Sequence, residues 1–111
     1  MRLEDIAIPE APEVVQREIE YKGENVDCCF RIVDAAKAQN LFDYMDAKGE
    51  RDMKKVRSAD FKIIAAVCCK EDGTDLYTEE QARKLPAPLK VLLAKHAIEV
   101  NVPQTEGTPK N

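Results

Sequence analysis

Residues 63–69, Ile-Ile-Ala-Ala-Val-Cys-Cys, are apolar without a break, and no other feature restricts the fold as much. The chain has 111 residues, one domain's worth, with 5% aromatics and no Trp, so its core must be built of Leu, Ile, Val and Ala. The run is the natural centre of that core. Phe61, Ile64, Ala65 and Cys68 recur at helical spacing, Ser58 suits an N-cap, and Asp60 would meet the helix dipole in the first turn. A helix over about 59–70 is expected. Periodicity alone does not separate it from a buried strand, and a start near Arg51 is compatible with the same residues.

The segment before it has period two. Val15, Arg17, Ile19 and Tyr21 share one face, and beyond Gly23 and Glu24 so do Val26, Cys28, Phe30 and Ile32. The pattern predicts a β-hairpin over about 14–33. A type II′ turn at Gly23-Glu24 would set Tyr21 opposite Val26, Ile19 opposite Cys28 and Val15 opposite Ile32.

Helical periods follow. Asp34 is a candidate N-cap for a helix over about 35–48, with Ala38, Leu41, Phe42 and Met45 as its stripe and Gly49 near its end. Thr78 and Gln81 have capping-box spacing and open a short helix over about 79–84, which must stop before Pro86. Pro86 and Pro88 then start a last helix over about 88–101, striped by Leu89, Leu92, Leu93, His96, Ala97 and Val100. Residues 1–13, with Pro9 and Pro12, read as a flexible lead-in, and 102–111, with Pro103, Gly107 and Pro109, as a disordered tail. The expected fold is therefore α+β and mainly α: one domain over 14–101, a hairpin followed by three to four amphipathic helices.

Composition narrows the chemistry. A net charge of −4 and a pI near 5.1 oppose nonspecific nucleic-acid binding, which needs a positive face. The most basic stretch, Lys48–Arg57, has no aromatic residue interleaved for base stacking and reads as a solvated face. Met1–Pro12 has no apolar stretch long enough for a signal peptide, and no uncharged stretch approaches a membrane span. A cytosolic protein with reduced thiols is expected.

The two adjacent pairs, Cys28-Cys29 and Cys68-Cys69, diverge within each pair on a strand or a helix and lack zinc-site spacing. Four sulfurs so placed do not converge on one tetrahedral metal, and they are read as buried or half-buried packing thiols. His96 has only Glu99 within reach on its own helix, too little for an acid/base centre. Asp72-Gly73-Thr74-Asp75 has turn chemistry without calcium-loop spacing. There is no nucleophile elbow and no phosphate-cradling loop, so a non-enzymatic chain with no cofactor and no metal is expected.

From about Arg31 to Asn101 the order of parts resembles the tail assembly chaperones of long-tailed, siphovirus-type bacteriophages. The resemblance is carried by Ile63–Cys69, by Lys70–Glu80 with its acidic turn and capped helix, and by Leu85-Pro86-Ala87-Pro88 leading into the last helix. It implies a non-catalytic chain in the host cell cytoplasm that binds the tape measure protein and keeps it soluble. It also implies help in recruiting the tail tube protein, self-association into a homo-oligomer, and absence from the mature virion. Leu41, Phe42, Met45, Leu89, Leu92 and Leu93 are the candidate partner-binding residues. Relatives are often also made in a longer form by ribosomal frameshifting, and Pro109-Lys110-Asn111 is compatible with a slippery codon run. Two other classes fit the same length: a structural virion component such as a head-tail connector or tail-completion protein, and a Cys-dependent metal or redox protein.

Overall fold

The structure, a computed structural model, describes residues 1–42 and 53–102, with side chains from Ala59 onward in the second stretch. Strands β1 (Glu13–Tyr21) and β2 (Glu24–Ile32) form the hairpin. Its two turn residues are Lys22 and Gly23, with φ of 54° and 80°. Two successive positive φ values belong to a type I′ turn, whose twist matches that of the strands it joins. The expected type II′ turn at Gly23-Glu24 is thus corrected, and the register with it. Tyr21 pairs with Glu24, Ile19 with Val26, Arg17 with Cys28 and Val15 with Phe30. A slip of two residues keeps each side chain on its face, so Ile19 and Phe30 still point into the core and are buried.

The expectation of a mainly helical chain with a bare hairpin is also overturned. Cys68 and Cys69, placed at a helix end by their spacing, leave the helix and form β3, antiparallel to β2 on the side away from β1. Among the described residues the sheet has three strands and is packed with four α-helices. The physical reason lies in β2: its second edge carries N–H and C=O groups that would be desolvated under the helices, and a short apolar strand satisfies them. An unbroken apolar run can serve such a strand because both of its faces are covered here; Cys68 and Cys69 are 1% and 2% exposed.

Among the described residues the helices are α1 (Ala35–Phe42), α2 (Met53–Val67), α3 (Glu79–Arg83) and α4 (Ala87–Asn101), with one 3-10 turn at Leu3–Asp5. Asp34 caps α1 by accepting from the Lys37 N–H at 2.7 Å. Thr78 and Gln81 exchange the two capping-box hydrogen bonds at 3.1 and 2.9 Å. α2 begins at Met53, so Ser58 is not its N-cap. Asp60 lies mid-helix, 8% exposed, and pairs with Lys90 of α4 at 3.2 Å. The expected far end of α1, Met45, the tail, and the side chains of the basic stretch fall outside the described residues.

The inner face of the sheet packs on α2 and α4 around Phe30, Ile63, Ile64, Val67 and Cys68. Each large apolar side chain buried there contributes about 1.5–3 kcal/mol. α4 is covered on a wider arc than its predicted stripe, since Ala94 and Ile98 are buried along with Leu93 and Ala97. Two polar residues fasten the layers. Arg31, on the outer face of β2, donates to the Ala65 and Ala66 carbonyls at the C-terminus of α2 and to the Gly73 carbonyl, and it pairs with Asp75 at 2.9 Å. A cation at a helix C-terminus complements the dipole. Asn101 accepts from the Val33 N–H at 2.8 Å and donates to the Arg31 carbonyl at 3.0 Å and to the Ala97 carbonyl at 3.2 Å. The last residue of α4 thereby hydrogen-bonds to the end of β2 as a neighbouring strand would.

A candidate apolar binding cleft

An open cleft of about 280 Å³ lies where β2 and β3 meet the first half of α4. Its apolar wall is Val26, Cys28, Leu76, Tyr77, Leu89 and Leu93. Val26 and Leu76 are 37% and 41% exposed, large apolar side chains held at the mouth by the hairpin and by the turn after β3. Cys29, Cys68 and Cys69 line it as well, and so do Asp27, Lys70 and Glu71, so its polar margin carries both signs.

That wall is set by local rules. Gly73, at φ 88°, ends a turn in which its N–H donates to the Lys70 carbonyl at 2.8 Å. Asp72 then accepts from the Thr74 N–H and hydroxyl at 3.0 and 2.6 Å. These bonds hold the exposed Asp72 carboxyl below its usual pKa. They also bring the chain back so that Asp75 bridges Cys69, leaving Leu76 and Tyr77 against α4. Calcium chemistry is not needed to explain the acidic turn.

The six residues proposed for partner binding separate in space. Phe42 and Leu93 are buried at 8% and 5% exposure, while Leu41, Leu89 and Leu92 are half-buried against the core. Leu89 and Leu93 reach the cleft; Leu41, Phe42 and Leu92 do not line it. Met45 lies outside the described residues. Val26, Leu76 and Tyr77 were missed because they are brought together only by the sheet and the turn. The one trace they leave is Leu76-Tyr77, an apolar pair directly after an acidic turn.

The cysteines meet in pairs across the sheet, a placement that their spacing does not reveal. Adjacent residues on a strand point to opposite faces, but the antiparallel register sets Cys29 opposite Cys69 and Phe30 opposite Cys68. Cys28 and Cys68 therefore share the inner face, and Cys29 and Cys69 the outer one. Burial pushes the Cys68 thiol up to about 12, and the neighbouring Cys28 and Cys69 push it the same way. Burial likewise raises Cys28, Cys29 and Cys69, and it raises Tyr77, with smaller contributions from Cys68 and Cys28. A thiol shifted as far as that of Cys68 stays protonated well above neutral pH, which favours packing over nucleophilic attack. Among the described residues no group of three or more His, Cys, Asp or Glu side chains is placed to hold a metal ion.

His96 has a partner that its own helix does not supply. Arg17, on the inner face of β1, places Nη1 3.0 Å from His96 Nδ1 and 2.9 Å from Glu99 Oε1. The imidazole stacks on Phe30 with 6.2 Å between centroids. Burial and the guanidinium lower its pKa against the opposing pull of Glu99. With Nδ1 accepting from Arg17, the ring is held neutral as a structural member of the sheet–helix contact.

No described helix is long and apolar enough to cross a membrane. No protein-family model, curated protein or solved structure matches the chain.

Proposed function

We propose that this chain is a non-catalytic protein-binding domain, a tail assembly chaperone that lays its cleft over apolar helical surface of the tape measure protein. The observation that carries the reading is the open cleft walled by Val26, Cys28, Leu76, Tyr77, Leu89 and Leu93, with Val26 and Leu76 exposed at its mouth. A groove of this size accepts two or three side chains projecting from one face of an amphipathic helix. The family assignment rests on the sequence resemblance between Arg31 and Asn101. In this role the chain keeps the tape measure soluble in the host cytoplasm, recruits tail tube protein, acts as a homo-oligomer along a long helical client, and leaves before the virion matures.

The test is co-expression with the tape measure protein of the same genome. The soluble fraction of the tape measure should rise with the wild-type chain and fall back with the Val26→Glu, Leu76→Glu variant, whose substitutions sit at the exposed mouth. A soluble fraction indifferent to the chain would remove this reading.

A further inference from the structure

We propose that Cys29 and Cys69 form a dithiol site on the outer face of the sheet, closed to a reversible cross-strand disulfide by small-molecule disulfides. They are Cα partners on neighbouring antiparallel strands, so their side chains leave the sheet on the same side. The hydrogen-bonding state of the pair follows from the next residue. The Lys70 N–H donates to the Thr74 carbonyl at 2.9 Å, which turns the Lys70 backbone away from β2 and that of Cys69 toward it. On β2, the two-residue turn makes Tyr21 and Glu24 a hydrogen-bonded pair, and alternation from there leaves the Cys29 backbone facing β3.

Cys29 and Cys69 are thus a hydrogen-bonded pair, with Cα atoms about 5.5 Å apart. That lies within the roughly 4.4–6.8 Å that a disulfide spans. Cβ atoms across such a pair lie about 4.5–5.5 Å apart, against about 3.5–4.5 Å in a disulfide. Closure therefore draws the strands together and leaves a strained, readily reduced bond. β3 is only two residues long, so its inward shift disturbs little.

The inner thiols are poorer candidates. Cys68 faces Phe30, not Cys28, across the sheet. Cys68 and Cys69 are equally buried, at 1% and 2% exposure, so it is the register, not exposure, that sets the inner thiols aside. Cys29 is half-buried and is the accessible member of the outer pair.

The exchange is balanced. The Cys29 thiol loses its proton to solvent, its thiolate attacks one sulfur of the small disulfide, and one small thiolate leaves. The Cys69 thiol then loses its proton, and its thiolate displaces the second small thiolate from the mixed disulfide. The protein dithiol is oxidised by two electrons and the small disulfide is reduced to two thiols. The product ties β3 to β2 and so fixes the strand that leads into the Leu76–Tyr77 wall of the cleft.

The test incubates the folded chain with oxidised and reduced glutathione at graded ratios and mildly alkaline pH. Free thiols are then blocked, and intact mass gives the number of blocked cysteines. Two blocked cysteines and no retained glutathione are expected at oxidising ratios, reversing on return to reduced glutathione. The intramolecular link should vanish in Cys29→Ser and in Cys69→Ser, which should accumulate glutathione adducts or free thiols. It should persist in Cys28→Ser and in Cys68→Ala. A link that survives in Cys29→Ser and disappears in Cys28→Ser would overturn the assignment, as would four blocked thiols at every ratio. Far-UV circular dichroism before and after oxidation keeps the result tied to the folded chain: a link that forms only with loss of the helical signal also counts against the proposal.

Discussion

Replacing Asn101 by Asp keeps the shape of the side chain and reverses half of its chemistry. The Oδ1 acceptor for the Val33 N–H survives, but the amide nitrogen that donates to the Arg31 and Ala97 carbonyls becomes an oxygen facing two oxygens. Losing two half-buried hydrogen bonds costs about 2 kcal/mol, at roughly 1 kcal/mol net for each. A negative charge at the C-terminal end of α4 adds about 0.3–1 kcal/mol. Asn101→Asp should therefore destabilise by about 2.5–3 kcal/mol at neutral pH. Asn101→Ala loses all three bonds, about 3 kcal/mol at the same rate, but water regains roughly 1 kcal/mol at the half-buried groups without repulsion, leaving about 2 kcal/mol.

The assay is urea unfolding. With a slope of about 1.5 kcal/mol per molar, the Asp variant should unfold roughly 2 M earlier than the wild type. Acid should narrow the gap. A protonated carboxyl can again donate to Arg31, so the folded state holds that proton more tightly, and the penalty fades as pH falls through the raised folded pKa. An Asp variant as stable as wild type, or an Ala variant clearly worse than Asp at neutral pH, would refute the account of how α4 is joined to the sheet.

Arg31→Met keeps the aliphatic bulk but strips the C-terminus of α2 and the Gly73 carbonyl of their donor; a loss of about 3 kcal/mol or more is expected in thermal melts. Asp75→Asn, whose side chain is 78% exposed, should cost less than about 1 kcal/mol in the same experiment. Tyr21 carries a buried hydroxyl with no hydrogen-bond partner among the described residues, so Tyr21→Phe should leave the urea midpoint unchanged or raise stability by up to about 1 kcal/mol; a clear loss would mean that the hydroxyl has a role. His96, whose pKa is lowered on folding, is protonated first in the unfolded chain as pH falls. Stability should thus be full above its ordinary value of 6.5 and decline below it toward the lowered one, and His96→Gln should flatten that slope in denaturation measured across the range.

What could be read from the chain in advance was the part governed by near neighbours. The alternation from Val15 to Ile32 gave strands and faces, Asp34 and Thr78 gave helix starts, and Pro86 gave the opening of α4, because each depends on residues within one turn or one pleat. The errors share a cause too. The hairpin register turned on whether Lys22 would accept positive φ, which is decided by strand twist and not by its own preference. The departure of Cys68 and Cys69 from the helix was decided by the unfilled edge of β2, almost forty residues earlier in the chain. Arg17 shares its face with Val15, Ile19 and Tyr21, and the reason for a charge there is His96 and Glu99 on the far helix.

The cleft and the cysteine pairs show how the missing information is organised. A strand residue has its face fixed by parity alone, so once Cys28-Cys29 and Cys68-Cys69 lie on strands each pair sends one sulfur inward and one outward. Only the strand register decides which sulfurs meet. Once β2 and β3 are neighbours with Cys29 opposite Cys69, the inner thiols are committed to packing around Phe30 and at the base of the cleft, and the outer ones face each other. The same register carries the Lys70–Asp75 turn back across the outer face, where a Cβ on Gly73 would come within 3.5 Å of Val14. It also delivers Leu76 and Tyr77 to α4. One pairing of two residues thus builds both the apolar wall of the cleft and the dithiol at its margin, and a substitution that breaks the β2–β3 pairing should abolish both together.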